Sequence, residues 1–245
     1  MDIFFEMHNN IPREGPGDNR LTKEAFLSLK DLPEKPLILD IGCGPGMQTL
    51  ELARNTKGKI IAIDIHEPFL DILKKRILKE GFTGRVEAKK GSMFSLAYRK
   101  NSFDIIWSEG AIYIIGFQRG INEWRDYIKD GGYLVVSEIS WLREDIPREL
   151  KEFWISAYPG IKDISGNIEI IKNSQYLPVS HFVLPKSGWW NDYYHPLVKK
   201  IEALKIEYAA DKDALAQLGE EEREIELYQK FSDYYGYVFY LMKKV

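Results

Sequence analysis

The sequence predicts an α/β fold, with a doubly wound and mostly parallel sheet of seven strands and a helical insertion before the last strand. Short runs rich in Ile, Leu and Val alternate with segments whose apolar residues recur every three or four positions, a pattern typical of buried parallel strands and amphipathic helices. A turn with three glycines follows the first apolar run, as at the ligand-binding edge of an open parallel sheet. The length of 245 residues predicts one domain, residues 1–245.

The individual elements follow from apolar runs, from helical spacing and from the Gly and Pro residues that bound them. Strands are predicted at 37–41, 59–64, 85–90, 102–111, 133–140, 176–184 and 237–243. Helices are predicted at 22–29, 47–55, 67–80, 116–129, 147–157, 168–173, 196–210 and 213–233. In the helix at 116–129, Phe117, Ile121, Trp124 and Ile128 are spaced by three or four residues, which indicates a core-facing stripe.

The turn after the first strand carries the strongest chemical signal. Residues 37–49 read LILDIGCGPGMQT, with Asp40 ahead of Gly42, Gly44 and Gly46. Glycines let a backbone bend sharply close to a ligand, and the amides that open the next helix face that ligand. The spacing matches neither the dinucleotide fingerprint nor the phosphate-loop pattern. An acid at this place would repel phosphate, so the turn suits a ligand that carries an ammonium group.

This turn resembles the first motif of class I S-adenosylmethionine-dependent methyltransferases, which have a Rossmann-like fold. The resemblance covers roughly residues 37–140. Within this class, the sequence is most similar to the ubiquinone-biosynthesis-like group of small-molecule methyltransferases. Asp64, which ends the second strand, matches the second motif, where a carboxylate takes the ribose hydroxyls. The resemblance implies S-adenosylmethionine as cofactor, bound by Asp40, Gly42, Cys43, Gly44, Gly46, Asp64, Ile65, Ser92, Met93, Ser108 and Glu109.

Methyl transfer from a sulfonium is an in-line displacement, so the protein mainly has to position a small-molecule acceptor and exclude water. A general base is needed only for an acceptor that is protonated at neutral pH. Glu109 follows the fourth strand and is the predicted catalytic residue. Other candidates for a base at predicted strand exits are Glu138, Tyr113, His181 and His195.

Two segments without a fixed motif are predicted to cover the acceptor: an N-terminal lid, residues 1–34, and a helical insertion, residues 185–235. Aromatic side chains of the insertion either wall an apolar or cationic acceptor or pack the insertion onto the sheet, and both readings stay open. The turn at residues 15–17 is either part of a cofactor-facing lid or an exposed linker. The predicted substrate residues are Arg20, Tyr113, Trp141, Trp189, Trp190, Tyr193 and Tyr194.

Composition disfavours several other classes of protein. Lys and Arg number 34 against 37 Asp and Glu, and the charges are interspersed, so no broad basic face for nucleic acid is expected. A single cysteine, Cys43, and the lack of a long apolar run favour a soluble cytoplasmic protein without disulfides. No metal site is predicted, and the oligomeric state is open. Two alternatives remain: an RNA or tRNA methyltransferase, and a non-catalytic protein that binds S-adenosylmethionine.

Overall fold

The computed structural model describes residues 3–245, which form a central sheet with helices on both faces. The strands are β1 (Leu37–Ile41), β2 (Lys59–Asp64), β3 (Val86–Lys90), β4 (Phe103–Ser108), β5 (Ile128–Trp141), β6 (Lys162–Asp163), β7 (Tyr176–Val183) and β8 (Tyr235–Lys244). The helices are α1 (Ile3–His8), α2 (Asn19–Ser28), α3 (Met47–Asn55), α4 (Glu67–Lys79), α5 (Phe117–Arg125), α6 (Arg148–Ala157), α7 (Ile164–Asn173), α8 (Lys186–Trp189), α9 (His195–Glu207) and α10 (Lys212–Phe231).

The strand order confirms the predicted α/β class. The sheet runs β3-β2-β1-β4-β5-β8-β7, and the first five strands of this order are parallel. Strand β8 is antiparallel to both of its neighbours. The two-residue β6, which was not predicted, pairs with the end of β5 outside this order. Because β1 to β4 are parallel, their carboxyl ends meet at one edge of the sheet, where ligands of such folds bind.

Several predicted boundaries were wrong: the helix expected at 168–173 begins at Ile164, and the strand expected at 133–140 begins at Ile128. The helix expected at 116–129 ends at Arg125, and Ile128 already belongs to β5, where it pairs with Phe103. The glycine pair at 131–132 lies inside this strand, at a shift of its register against β4, and does not mark its start. The side chains of the expected stripe are nevertheless buried in the core, because Ile128 packs on the same sheet face as α5.

The insertion between β7 and β8 contains α8, a π-helical turn at Trp190–Tyr194, α9 and α10. Helices α9 and α10 pack against α1, and Gly17 N donates a hydrogen bond of 2.9 Å to Gly188 O. The two segments predicted as lids therefore contact each other, while their role as lids stays a prediction. Within residues 3–245, every helix is too short or too polar to cross a lipid bilayer.

Candidate active site

A cavity of about 290 Å³ lies at the carboxyl ends of β1 to β4. Its wall is built from the segments that follow these four strands and from two parts of the N-terminal segment, residues 4–5 and 13–16. Eight of the predicted cofactor-binding residues line it: Gly42, Cys43, Gly44, Asp64, Ile65, Ser92, Met93 and Glu109. The other three, Asp40, Gly46 and Ser108, do not.

The glycine turn presents bare backbone to this cavity. Gly42 has φ of +70°, and a Cβ there would lie 2.5 Å from Ala111 Cβ. Gly46 precedes α3 with φ of +85°, and a Cβ there would lie 2.2 Å from Leu73 Cδ1. The Gly42 amide also donates a hydrogen bond of 2.9 Å to Ile63 O on β2. Only glycine fits both the conformation and the space, so the turn is held rigidly against the neighbouring strand.

Asp64 is held by two backbone amides. Gly44 N donates to Asp64 Oδ2 and His66 N donates to Asp64 Oδ1, each at 2.9 Å. A carboxylate offers about four acceptor positions, so these two bonds orient the group and leave capacity for ligand hydroxyls. The carboxylate thus spans the end of β2 and the glycine turn of β1.

Asp40 and Ser108 lie beneath the turn. Thr49 Oγ1 donates to Asp40 Oδ2 at 2.5 Å, and burial raises the pKa of Asp40 to about 7. Ser108 Oγ donates to Ile41 O at 2.9 Å. Both side chains are fully buried and lie outside the cavity lining, so the structure places them as supports of the turn. The ligand contact expected of Asp40 and Ser108 stays a prediction.

One carboxyl oxygen of Glu109, the predicted general base, already accepts two hydrogen bonds. Its Oε1 accepts hydrogen bonds from Thr22 Oγ1 at 2.7 Å and from Trp107 Nε1 at 2.8 Å. Arg13 NH1 lies 3.7 Å from its Oε2, which is buried and has no hydrogen-bond partner. Burial raises the pKa of Glu109, and the Arg13 charge opposes that rise. This geometry fits an anchor for the N-terminal segment better than a base that takes a proton from an acceptor.

The N-terminal segment supplies cavity residues that sequence reasoning missed. Glu14 lies beside the glycine turn, with its Cγ 3.2 Å from the Cβ position of Gly44. Burial and the nearby Asp64 charge raise the pKa of Glu14 to about 9, and its Oε2 is buried without a partner. Phe5 stacks on the His66 ring at 3.9 Å between centroids. The sequence offered the turn at residues 15–17 as part of a cofactor-facing lid, and Gly15 and Pro16 do line the cavity, but no signal singled out Phe5 or Glu14.

The candidate substrate residues separate into two groups. Tyr113 lines the cavity and is 39 % exposed. Trp189 is buried and stacks on Tyr228 at 4.1 Å, and Tyr194 donates a hydrogen bond of 2.9 Å to Glu224. None of the four aromatic residues expected from the insertion lines the cavity, which supports the packing alternative.

Four further candidates also lie away from the cavity. Arg20 is exposed and pairs with Asp18 at 3.3 Å, and Trp141 packs edge-on against Tyr235. The suggested bases His181 and His195 are both exposed, on the edge strand β7 and at the start of α9, and neither lines the cavity. A side chain near a strand exit in sequence reaches the cavity only if its strand ends there, and β7 does not.

A family model described as a methyltransferase domain matches residues 34–200, more than half of the chain. The chain belongs to this methyltransferase family. The methyltransferase GfsG of Streptomyces halstedii is 28 % identical over 121 residues, which cover 49 % of this chain and 43 % of that protein. The ubiquinone/menaquinone biosynthesis C-methyltransferase UbiE of Hydrogenovibrio crunogenus is 26 % identical over 141 residues, 56 % of each protein. The chain thus spans about half the length of these curated relatives.

Solved structures share the whole fold of this methyltransferase domain. A SAM-dependent methyltransferase from Thiobacillus denitrificans, in complex with S-adenosyl-L-homocysteine, matches with a TM-score of 0.83 at 18 % identity, over 100 % of this chain and 99 % of that one. YjhP from E. coli matches with a TM-score of 0.83 at 20 % identity over 100 % of both chains. The [4+2]-cyclase SpnF matches with a TM-score of 0.72 at 21 % identity, over 92 % of this chain and 80 % of that one. At these identities the likeness shows the fold.

Proposed function

We propose that this protein transfers a methyl group from S-adenosylmethionine to a small-molecule acceptor. The observation that carries the proposal is the orientation of Asp64 across the glycine turn, inside a cavity at the carboxyl edge of a methyltransferase-family sheet. The relatives named as methyltransferases, and the related structure titled as a complex with S-adenosyl-L-homocysteine, support the same assignment.

The residues of the cavity fit such a cofactor. Asp64 has acceptor capacity for two ribose hydroxyls, and the backbone of Gly42 to Gly44 lies where the amino-acid end can approach closely. Glu14 contributes a buried carboxyl oxygen without a partner beside the same turn, which suits an ammonium group. Ile65 and Met93 offer apolar surface for a base. When bound, the sulfonium group supplies an electrophilic methyl carbon.

The contribution of the protein to this reaction is position and exclusion of water. The N-terminal residues 13–16 close one wall of the cavity, and Arg13 and Thr22 hold that wall to the sheet through Glu109. Fixing donor and acceptor in line accounts for much of the acceleration of such displacements. Tyr113, which also lines the cavity, is the predicted substrate residue that an acceptor in the cavity would meet.

Calorimetry with S-adenosyl-L-homocysteine tests the proposal. We expect the wild-type protein to bind it, and Asp64→Ala to weaken that binding by at least about tenfold, because hydrogen bonds to a charged group contribute about 1.5–3 kcal/mol each. Asp71→Ala, on the exposed surface of α4, is the matched control and should bind as the wild type does. Wild-type protein that fails to bind at millimolar ligand would contradict the proposal.

Binding has to be followed by a test of turnover, since the same fold occurs in a protein titled a cyclase. Labelled methyl donor with a metabolite extract, followed by mass spectrometry, identifies which compound gains a methyl group. Methylation of small molecules supports the proposal, whereas binding without any transfer supports the non-catalytic alternative. The cytoplasmic location and the lack of nucleic-acid partners stay predictions.

A further inference from the structure

A group of tyrosines and carboxylates, most of them partly or fully buried, lies next to the cavity. We call it the tyrosine–carboxylate cluster, and it consists of Tyr113, Tyr158, Tyr237, Glu138, Glu221 and Glu224. These side chains come from five different parts of the chain: the segment after β4, strand β5, the segment after α6, helix α10 and strand β8. Of these, Tyr113 belongs to the cavity wall, so the cluster adjoins the site proposed for the methyl donor.

Tyr113 is the link between the cavity and the cluster. Its ring meets that of Tyr158 edge-on, with centroids 6.2 Å apart. Burial raises the pKa of Tyr113 to about 12, and the charges of Glu224, Glu221 and Glu138 all add to that rise. A ring that is 39 % exposed and is still enclosed by protein lies in the wall of a recess and not on the outer surface. A ligand that fills the cavity would therefore contact Tyr113.

Of the three carboxyls in the cluster, Glu138 is the one whose surroundings most favour a bound cation. It is 1 % exposed, and its Oε2 has no hydrogen-bond partner. Burial raises the pKa of Glu138 to about 8, and a hydrogen bond from the Tyr158 hydroxyl opposes that rise. The carboxyl lies close enough to Tyr113, Tyr158 and Tyr237 to raise the pKa of each. An unpaired carboxylate in such a place is costly, and a bound cation would offset that cost.

The carboxyls of α10 complete the negative side of the cluster. Tyr194 donates to Glu224 Oε1 at 2.9 Å, and burial with the adjacent Glu221 charge raises the pKa of Glu224 to about 8. Tyr237 is 8 % exposed; burial raises its pKa, and the charges of Tyr113, Glu138 and Glu224 add to that rise. The α10 carboxyls thus lie near the same tyrosines as the unpartnered oxygen of Glu138.

Among residues 3–245, the groups that shift these pKa values are carboxyls and phenols. Lys, Arg and His are absent from the causes that shift the pKa of Glu138, Glu224, Tyr113 and Tyr237. His8 Nε2 lies 3.3 Å from the Tyr193 hydroxyl, which in turn donates to Glu221 at 3.1 Å, so a phenol stands between this imidazole and the carboxyl. Carboxylates together with aromatic faces are the combination that binds ammonium groups.

We propose that the tyrosine–carboxylate cluster binds the ammonium group of the methyl acceptor, and that the acceptor is therefore an amine. This inference rests on the proposed methyltransferase function and names its substrate class. The ammonium proton passes to the Glu138 carboxylate, and the freed amine lone pair forms the N–C bond. The S–C bond of the donor breaks with its electron pair staying on sulfur, and the product is the methylated amine with a thioether. An anionic acceptor would be repelled by these carboxyls in their ionised form.

The test uses tetramethylammonium chloride as the probe, because its charge is the same at every pH, and tert-butanol as a neutral compound of similar size. Ligand-observed NMR at pH 8.5, with S-adenosyl-L-homocysteine present, measures the affinity for each. We expect tetramethylammonium to bind at least tenfold more tightly than tert-butanol. Glu138→Gln and Glu224→Gln, which keep shape and remove charge, should each weaken tetramethylammonium binding at least tenfold. Glu226→Gln, an exposed residue of α10, is the matched control and should not change it.

Binding of S-adenosyl-L-homocysteine and the melting temperature show for every variant that the fold and the donor site are intact. Two results would overturn the amine assignment and leave the proposed function standing, provided that S-adenosyl-L-homocysteine still binds. One is equal affinity for the two probes, and the other is methyl transfer only to oxygen or carbon. A wild-type protein that does not bind S-adenosyl-L-homocysteine would overturn both the proposed function and the amine assignment. A new methyl group on nitrogen in the extract experiment supports both.

Discussion

The hydroxyl of Thr22 in α2 donates a hydrogen bond of 2.7 Å to Glu109 Oε1 at the end of β4, across 87 positions of sequence. Both side chains are buried, and the Trp107 indole donates to the same oxygen at 2.8 Å. Glu109 is thereby shared between the sheet and the N-terminal segment. The cavity wall at residues 13–16 depends on this buried contact, because the same segment contains Arg13, which faces the second oxygen.

Thr22→Val should destabilise the protein. Valine keeps the shape of threonine but leaves a buried carboxyl oxygen short of a donor, which costs about 1–3 kcal/mol. We expect the free energy of unfolding in urea to fall by that amount, and affinity for S-adenosyl-L-homocysteine to fall with it. Thr22→Ser keeps the hydroxyl and should lie much closer to wild type in ligand affinity. Equal affinity in Thr22→Val and wild type would show that this contact does not hold the cavity wall.

Gly42→Ala should remove binding of the methyl donor. Gly81→Ala separates the effect of backbone strain from the effect of a steric collision. Both glycines have positive φ, +70° and +74°, but only at Gly42 would the new Cβ collide with another residue, Ala111, at 2.5 Å. Backbone strain costs about 1–2 kcal/mol in either variant. We expect Gly81→Ala to lose only stability, whereas Gly42→Ala loses ligand affinity as well. Calorimetry and thermal melting of both variants decide this, and wild-type affinity in Gly42→Ala would contradict the close approach of ligand to the turn.

The stability of the protein should decrease from mildly acidic to alkaline pH. Burial raises the pKa of Glu138 and Glu224 to about 8, against 4.5 for a free glutamate. Between these pH values the unfolded chain loses protons that the folded chain retains, so the stability present below pH 4.5 is lost as pH rises through 8. We expect a lower melting temperature at pH 8.5 than at pH 5.5.

Glu138→Gln provides the comparison for this pH effect. Glutamine cannot ionise, so the variant should lose less stability than wild type over the same pH interval. Melting curves of both proteins at constant ionic strength give the difference. An identical decrease in the two proteins would mean that Glu138 is not protonated in the folded state.

Trp190→Ala should affect stability and not catalysis. Trp190 is half-buried and packs on Tyr194 and His195, with centroids 5.4 and 5.3 Å away. Removing such a side chain costs about 3 kcal/mol. Once an acceptor is known, we expect its KM to be unchanged below the melting temperature, in contrast to the substrate role that the sequence suggested. A raised KM with normal stability would restore that role.

Much of the fold was predictable because its signals are local. Strands β1 and β2 and helix α3 have the predicted ends, since apolar runs, glycines and prolines act on neighbouring residues. The end of α5 was not predictable, because Ile128 fits both a helical stripe and a buried strand. Its pairing with Phe103, a contact across the sheet, decided between the two.

The site was predictable in part for the same reason. Gly42, Gly44 and Asp64 line the cavity because the ends of adjacent parallel strands necessarily meet. Glu14 was not assigned to the site, and Glu138 was only one of several candidates for a base. Their positions depend on how the N-terminal segment and the insertion fold over the sheet, and these segments have no motif. Trp189 and Tyr194 were ambiguous, since an aromatic side chain has the same local pattern in a core and in a binding site.

By itself, the sequence determined the class of fold, the glycine turn and the acid of the second strand, because each depends on residues a few positions apart. Tertiary structure alone decided that Glu109 is held by Thr22 and Trp107, and that three distant carboxyls gather around Tyr113. Burial and charge pairing are properties of neighbours in space, and they decide which carboxyl is an anchor and which is free for a ligand. No spacing along the chain contains that information.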